Sequence, residues 1–165
     1  MAETNDQRQF LALVNAHRGV VDRICRAYAA TPGDREELFQ DIVYQLWRSY
    51  PTFRGEATLV TWIYRVALNT AITAVRRRTR QPPQVPLEST VEPASRDSGE
   101  TAARLTLLYR AIRRLDEVER ALIMCYLDDL SYKRIAEVLG ISESNVGAKL
   151  TRTKAKLRDL VSGME

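Results

Sequence analysis

The chain has 165 residues, of which 45% are apolar and 28% are charged. This composition fits one or two small folded domains with an apolar core, and it excludes a disordered polyelectrolyte. Lys and Arg exceed Asp and Glu by 25 to 21, so an acidic partner such as nucleic acid is worth testing.

The first block, residues 8–78, is predicted to be a small helical domain because its apolar residues recur at helical spacing. Between residues 10 and 28 the pattern predicts one helix or two, since His17 and Gly19 interrupt it. The sequence Thr-Pro-Gly that follows is expected to end this helical segment.

The next helix is predicted to begin at Asp34, which suits a capping position and has Glu37 three residues later, as in a capping box. It is predicted to end at Tyr50, because a residue before proline avoids the helical conformation. Its apolar face comprises Leu38, Phe39, Ile42, Val43, Leu46 and Trp47. The opposite face is polar, poor in Lys and partly acidic, so it is either a docking face for a basic protein partner or a solvated surface.

Residues 51–57 are predicted to form a loop, and residues 58–78 a third helix that ends in three arginines. Aromatic and arginine side chains alternate in this region, and such side chains can stack on unpaired nucleic-acid bases. Trp62 also has the spacing of a core residue. Phe53 and Arg54 are therefore the better candidates for contact with a base.

Residues 79–101 are predicted to be a linker, because four of the six prolines fall there among polar residues without an apolar period. Such a linker of about 23 residues reaches at most roughly 75 Å when extended. As a free coil it averages about 25 to 30 Å. The two blocks can therefore lie close together or far apart.

The second block, residues 102–162, is predicted to contain four helices, which makes the whole chain an all-α protein of two small domains. Ser131 and Ser142 are predicted to cap the last two helices, and Gly140 to turn the chain between them. Residues 132–151 thus reproduce a helix-turn-helix, a unit that presents its second helix to DNA.

The last helix is strongly basic, as expected of a helix that lies against DNA phosphates. Between residues 145 and 158 it carries no acid and five cations: Lys149, Arg152, Lys154, Lys156 and Arg158. A solvated basic face on an ordinary helical hairpin is the alternative interpretation. The combination of the cations with the helix-turn-helix favours DNA binding.

The sequence lacks the residue patterns that several kinds of functional site and a membrane span require. Cys25 and Cys125 form no CxxC pair, so a disulfide scaffold or zinc site is not expected, and the spacing favours a reducing cytoplasm. No apolar run approaches the roughly 18 residues of a membrane span, so we expect a cytoplasmic protein without membrane insertion. His17 is the single histidine and the common catalytic motifs are absent, so we expect no enzyme, no metal and no cofactor.

Two phrases of the sequence, in order around the linker, resemble the sigma-70 family of bacterial RNA polymerase initiation factors. The first phrase reads ELFQDIVYQLWRSYPTFRGEA followed by TWIYRVALNTA, and it resembles region 2. The second reads LDEVER followed by YLDDLSYKRIAEVLGIS, and it resembles region 4. The resemblance is to the small two-domain group called extracytoplasmic-function (ECF) sigma factors, and it implies region 2 at residues 8–78 and region 4 at residues 102–162.

The resemblance implies that the chain binds core RNA polymerase, directs promoter-specific initiation and is controlled by an anti-sigma factor. It implies docking on the β′ clamp helices and the β flap of the polymerase. The residues implied in binding the polymerase core are Glu37, Leu38, Gln40, Asp41, Tyr44, Gln45 and Arg48.

Promoter DNA is the second implied partner, with one element for each domain. The residues implied in reading and opening the −10 element are Tyr50, Phe53, Arg54, Trp62, Arg65, Asn69 and Arg76. Those implied in reading the −35 element are Ser131, Tyr132, Ser142, Glu143, Ser144, Asn145, Gly147, Ala148, Lys149, Thr151, Arg152 and Lys156.

One departure from the family pattern lies where the recognition helix begins. Many relatives have Thr-Val-Lys-Ser-Arg where this chain has Asn-Val-Gly-Ala-Lys at residues 145–149, so the base preference at −35 does not transfer. Gly147 would let the helix backbone approach DNA closely. Two alternatives stay open: a stand-alone helix-turn-helix regulator that binds duplex DNA as a dimer without polymerase, and a helical interaction or enzymatic module whose basic helix is merely solvated.

Overall fold

The computed structural model describes residues 4–53, 55, 58–80 and 99–165. These residues form eight α-helices and one short 3-10 helix, and no strand occurs among them, which confirms the predicted all-α fold. The helices are α1 (Asn5–Ala16), α2 (Arg18–Tyr28), α3 (Pro32–Ser49), η1 (Tyr50–Thr52), α4 (Leu59–Thr79), α5 (Gly99–Ile112), α6 (Glu117–Leu127), α7 (Tyr132–Leu139) and α8 (Glu143–Met164). None of the helices in these ranges has the length and hydropathy needed to cross a membrane.

Helices α1 to α4 form the first domain, with α2, α3 and α4 packed around a common core. The side chains at its centre are less than 2% exposed: Ile24, Ile42, Leu46, Ile63 and Leu68. The segment between residues 10 and 28, predicted as one helix or two, forms two helices. The chain turns at His17, which ends α1 and precedes α2. The helix predicted over residues 58–78 is α4, which spans Leu59–Thr79 and is capped by Thr58.

The prediction that Asp34 caps the helix now labelled α3 is wrong. Thr31 is the cap, since its hydroxyl accepts a hydrogen bond from the backbone N–H of Asp34 at 3.1 Å, and Pro32 occupies the first helical turn, where its missing N–H costs nothing. The Asp34 carboxylate instead pairs with Arg78 of α4 at 2.6 Å. The hydrogen bond from Arg78 lowers the pKa of Asp34, so this ion pair links the start of α3 to the end of α4.

Helices α5 to α8 form the second domain. Ser131 and Ser142 cap α7 and α8 as predicted, with hydroxyl oxygens that accept backbone N–H groups at 3.1 and 3.2 Å. Gly140 lies between them with φ of +69°, a left-handed conformation that strongly favours glycine. The helix-turn-helix therefore has the local geometry that its sequence predicts.

The two domains contact each other directly. Helices α2 and α4 of the first domain pack against α5, α6 and α7 of the second. The phenol of Tyr28 donates to the backbone carbonyl of Glu117 at 2.6 Å, and Arg113 donates to the carbonyl of Arg26 at 2.9 Å. The predicted bounds of the linker, 79–101, are too wide, because Thr79 is the last residue of α4 and α5 begins at Gly99. Residues 81–98 lie outside the described residues, so that part of the linker stays a prediction.

Candidate functional site

The outward face of α3 carries most of the side chains implied in polymerase binding. Tyr44 is 59% exposed, and Gln45 is half-buried beside it. The other polar members of this face are all exposed: Glu37, Gln40, Asp41 and Arg48. We call Glu37, Gln40, Asp41, Tyr44 and Arg48 the α3 face.

An apolar groove of about 550 Å³ runs alongside the α3 face, between α1 and α3. We call it the α1–α3 groove, and it is lined chiefly by Phe10, Leu11, Phe39, Val43, Tyr44 and Trp47. Leu11 is 48% exposed and Trp47 is 39% exposed, which is unusual for large apolar side chains that have a core nearby. The contribution of α1 has no signal in the sequence, because the groove exists only once α1 packs beside α3.

The structure removes Leu38 from the residues able to contact a partner. Its side chain is 5% exposed and belongs to the apolar core. Leu38 shares its side of α3 with Ile42 and Leu46, which are also buried. The helical period places this stripe against α2 and α4, away from the α3 face.

Five aromatic rings connect α1, α3, η1 and α4, and we call them the aromatic cluster: Phe10, Trp47, Tyr50, Phe53 and Trp62. The centroid of the Phe10 ring lies 5.0 Å from that of Trp47 and 5.5 Å from that of Tyr50. The rings of Phe53 and Trp62 stack at 4.9 Å. The cluster thus joins the α1–α3 groove to the segment in which the −10 residues were predicted.

Within the aromatic cluster, Trp62 is not available for contact, because it is only 8% exposed. The prediction that Trp62 contacts the −10 element is therefore corrected. The Trp62 ring instead supports Phe53 by stacking on it. Tyr50 and Phe53 are half-buried, so each still presents part of its ring. Arg54 lies outside the described residues.

Three further residues implied at the −10 element lie on one exposed side of α4. Arg65, Asn69 and Arg76 are all exposed. The Arg65 guanidinium donates to the backbone carbonyl of Glu137 at 2.7 Å, and that of Arg76 donates to the carboxylate of Glu117 at 3.0 Å. Both acceptors belong to the second domain.

The helix-turn-helix presents its predicted reading residues outward. Ile135, Val146 and Leu150 are 0% exposed and hold α8 against the rest of the domain. The residues implied at the −35 element are exposed at the starts of α7 and α8 and along α8: Ser131, Tyr132, Ser142, Glu143, Ser144, Asn145, Ala148, Lys149, Thr151, Arg152 and Lys156. Gly147 is half-buried among them.

The cations of α8 differ in their surroundings. The Lys154 ammonium lies over the Tyr126 ring at 4.6 Å, and that of Lys156 pairs with the Glu119 carboxylate at 3.1 Å. Within the part of the chain that the structure describes, no ion pair involves Lys149 or Arg152. Among the cations implied at the −35 element, these two are therefore the ones best placed to contact DNA.

The two domains correspond to two known sequence families. Residues 13–81 match the model of Sigma-70 region 2, and residues 105–157 match the model of Sigma-70, region 4. Together the matches cover most of the chain. The chain belongs to the sigma-70 family. It is a sigma factor of the ECF type, a class of DNA-binding proteins that act with RNA polymerase in transcription initiation. This membership argues against the two alternative interpretations, the stand-alone regulator and the enzymatic module.

Known relatives agree with this membership. The ECF RNA polymerase sigma-E factor of Escherichia coli strain K12 is 25% identical over an alignment that covers 96% of this chain and 90% of that protein. The ECF RNA polymerase sigma factor SigM of Mycobacterium tuberculosis is 28% identical, with 94% of this chain and 79% of that protein covered. Sigma factors in general regulate transcription without enzymatic activity of their own.

Two solved structures share the fold of this sigma factor. CnrH, solved in complex with the cytosolic domain of CnrY, superimposes with a TM-score of 0.67 at 23% identity, over 96% of this chain and 91% of that one. The sigma factor RpoE of Bartonella quintana, solved with the anti-sigma factor NepR, gives a TM-score of 0.69 at 18% identity, over 94% of this chain and 96% of that one.

Proposed function

We propose that this sigma factor docks on core RNA polymerase through the α3 face and the α1–α3 groove. The observation that carries the proposal is the exposure of large apolar side chains beside a partly acidic helix, which is the composition of a protein interface rather than of a free surface. The β′ clamp helices are the partner of this surface, and region 4 meets the β flap. The protein supplies no catalytic step and works in the cytoplasm, where the polymerase is.

The −10 element is read and opened by the first domain in this proposal. Unstacking DNA costs about 1.4 kcal/mol per base step, and stacking a base on an aromatic side chain returns about 1 to 3 kcal/mol. Tyr50 and Phe53 supply the aromatic surfaces, while Arg65, Asn69 and Arg76 contact the strand. Trp62 acts from the core by holding Phe53.

The −35 element is read by the second domain through the start of α8. Lys149 and Arg152 are three positions apart and share a side of the helix. Helix α4 ends at Thr79, and α5 begins at Gly99. The connection between them has about 19 residues and reaches roughly 65 Å when extended. Since elements two helical turns apart are separated by about 70 Å and each domain adds its own width, one chain can span both.

We further propose control by an anti-sigma factor. The support is the shared fold with CnrH and with RpoE, the latter solved in complex with the anti-sigma factor NepR. The exposed α1–α3 groove gives such an inhibitor an apolar surface on which to compete with the polymerase.

Run-off transcription tests the proposal. Purified core polymerase is incubated with fragments of a genomic promoter library, with and without the protein. We expect specific transcripts only when both proteins are present. Sequence-specific binding to duplex DNA by the chain alone, without stimulated transcription, would instead support a stand-alone regulator.

Gly147 offers a test of close approach between α8 and DNA. A Cβ at this position would meet the Tyr132 ring at 3.7 Å, an ordinary van der Waals distance. We therefore expect Gly147→Ala to fold and to gain about 1 kcal/mol of stability from higher helix propensity. If the backbone of α8 lies against DNA, the variant will bind −35 DNA more weakly in the holoenzyme although its melting temperature rises. Unchanged promoter affinity would show that Gly147 is not at the contact.

The two cysteines are expected not to control activity. Cys25 and Cys125 are buried, and burial raises the pKa of each thiol to about 12, so neither forms a reactive thiolate near neutral pH. We expect equal transcription in mild oxidant and in reductant, and slow alkylation of both thiols in the folded protein. A redox response that disappears in a Cys25→Ser or Cys125→Ala variant would contradict this.

A further inference from the structure

The Tyr132 ring is an exposed aromatic surface beside helix α8. Tyr132 is the first residue of α7, directly after the capping Ser131, and it is 44% exposed. Its phenol is able to bind a DNA phosphate, and its ring is able to pack on a base. The two contacts differ in consequence, because phosphate contacts position a protein on DNA whereas base contacts specify the sequence.

Gly147 lets this ring lie against the backbone of α8. A Cβ built on Gly147 would lie 3.7 Å from the Cε2 atom of the Tyr132 ring, an ordinary van der Waals distance. Val146 and Leu150 on either side of Gly147 are 0% exposed, so this turn of α8 is fixed in the core. The ring therefore stands where a longer side chain of residue 147 would have to pass.

The neighbours of Gly147 along α8 leave the ring open to a ligand. With about 3.6 residues per turn, Ser144 and Thr151 lie on the Gly147 side of the helix, and Lys149 lies about 200° away from Gly147. Ser144 and Thr151 are exposed, and both have short side chains. The Thr151 hydroxyl donates to the backbone carbonyl of Gly147 at 3.0 Å. One edge of the proposed −35 surface is thus aromatic, and the opposite edge is cationic.

Thymine carries a group that such an aromatic edge recognises in the major groove. Its C5-methyl group projects into the groove, where apolar side chains contact it. Cytosine has only a hydrogen atom at the same carbon, so it offers the ring less surface to cover. Hydrogen bonds from Lys149 and Arg152 do not detect this methyl group. An aromatic ring beside a helix in the major groove therefore adds a preference that the cations do not supply.

We propose that Tyr132 is a specificity-determining residue for the −35 element: its ring, seated over Gly147, packs against the C5-methyl group of a thymine. The inference rests on the proposed function, which places the start of α8 at the −35 element. It deepens that function by naming the chemical group that is read and by assigning its recognition to an apolar contact.

Removal of single methyl groups from the DNA is the first measurement. The probe is the promoter duplex that gives the strongest run-off transcript with the wild-type chain. Each thymine of its −35 element is replaced in turn by deoxyuridine, which pairs in the same way and lacks only the methyl group. We expect holoenzyme affinity to fall about fourfold at one position, as for the loss of one buried methyl-sized group. A −35 element in which no replacement changes the affinity would overturn the inference.

Variants of Tyr132 connect the methyl effect with the ring. We expect Tyr132→Ala to bind the thymine and deoxyuridine duplexes equally, and Tyr132→Phe, which keeps the ring, to retain the fourfold difference. Tyr126→Ala is the matched control, because the exposed Tyr126 ring lies under the Lys154 ammonium at 4.6 Å and is not among the −35 residues. The control is expected to retain the difference.

A phosphate contact by the Tyr132 phenol gives a different result. Tyr132→Ala and Tyr132→Phe would then weaken binding to every duplex by the same factor, and the difference between thymine and deoxyuridine would persist in both. Persistence of the difference in folded Tyr132→Ala overturns the inference.

Gly147→Lys tests the seat of the ring. A lysine side chain at this position has to cross the Tyr132 ring, so we expect the fourfold difference to shrink. The added cation is also expected to steepen the salt dependence by about one phosphate contact. Thermal unfolding establishes which variants are folded, and Gly147→Lys serves if Tyr132→Ala is not. An undiminished difference in folded Gly147→Lys would overturn the inference.

Run-off transcription separates failure of this inference from failure of the proposed function. A chain that supports transcription but shows no dependence on a thymine methyl group through Tyr132 refutes only the role of the ring. A chain that supports no transcription with core polymerase refutes the proposed function, and the inference falls with it.

Discussion

Replacing Tyr44 by Ala is expected to weaken binding to core polymerase at least tenfold. Tyr44 is the most exposed large apolar side chain among the described residues, at 59%, and it lies where the α3 face meets the α1–α3 groove. Aromatic anchors in such positions commonly contribute about 2 kcal/mol or more to an interface. Since the ring is not part of the core, its removal leaves the fold intact.

Gln40→Ala combined with Asp41→Ala is expected to act in the same direction, because both side chains are exposed on the α3 face. Affinity for immobilised core polymerase is the measurement, with circular dichroism to confirm folding. Asp22→Ala is the control, since it removes an exposed acid from α2 and not from the groove. If Tyr44→Ala and the double variant bind core polymerase as tightly as the wild type, the docking surface lies elsewhere.

Replacing Arg152 by Ala is expected to cost about 1 to 3 kcal/mol in promoter binding and to relax base preference at one −35 position. Arg152 is exposed on the reading side of α8, and it has no ion-pair partner among the described residues. Its guanidinium can therefore make a bidentate contact with a base edge. Lys149, on the same side of the helix, is expected to behave similarly.

Lys156→Ala is expected to weaken binding to every promoter sequence and to flatten the salt dependence, as loss of a phosphate contact does. Arg158→Ala is the charge-matched control, because Arg158 lies on a different side of α8 from Arg152. Holoenzyme affinity is measured on promoters randomised at −35, at several salt concentrations. If neither Lys149→Ala nor Arg152→Ala alters −35 preference while a change in the loop of residues 51–57 does, the second domain serves the polymerase and not DNA.

Features that depend on neighbouring residues were predictable from the sequence alone. Ser131, Gly140 and Ser142 act through hydrogen bonds and dihedral angles within a few residues, and all three have their predicted roles. The prediction for the start of α3 was wrong although it too depends on neighbouring residues, because Thr31 and Asp34 are both good capping residues. Pro32 decides between them, since it fits the first turn of a helix that Thr31 caps.

Helical periodicity separated the two sides of α3 well, whereas the family resemblance misplaced two residues of the candidate site. Leu38 and Trp62 match the family phrase and were predicted as contacts, yet both belong to the core. Their spacing relative to Ile42 and Val66 is that of buried positions. The pattern carried the correct information for these two residues, and the resemblance outweighed it.

What the sequence by itself determined is the helical content, the caps of the helix-turn-helix, the division into two blocks and the family, because these depend on local bonding, periodicity and residue order. The tertiary structure alone decided the α1–α3 groove, the aromatic cluster and the contacts between the two domains, such as the one between Arg23 and Asp128. Asp128 and Arg23 are 105 positions apart, and neither has a local pattern that marks it. Contacts over such separations depend on how whole helices pack, which single-residue preferences do not encode.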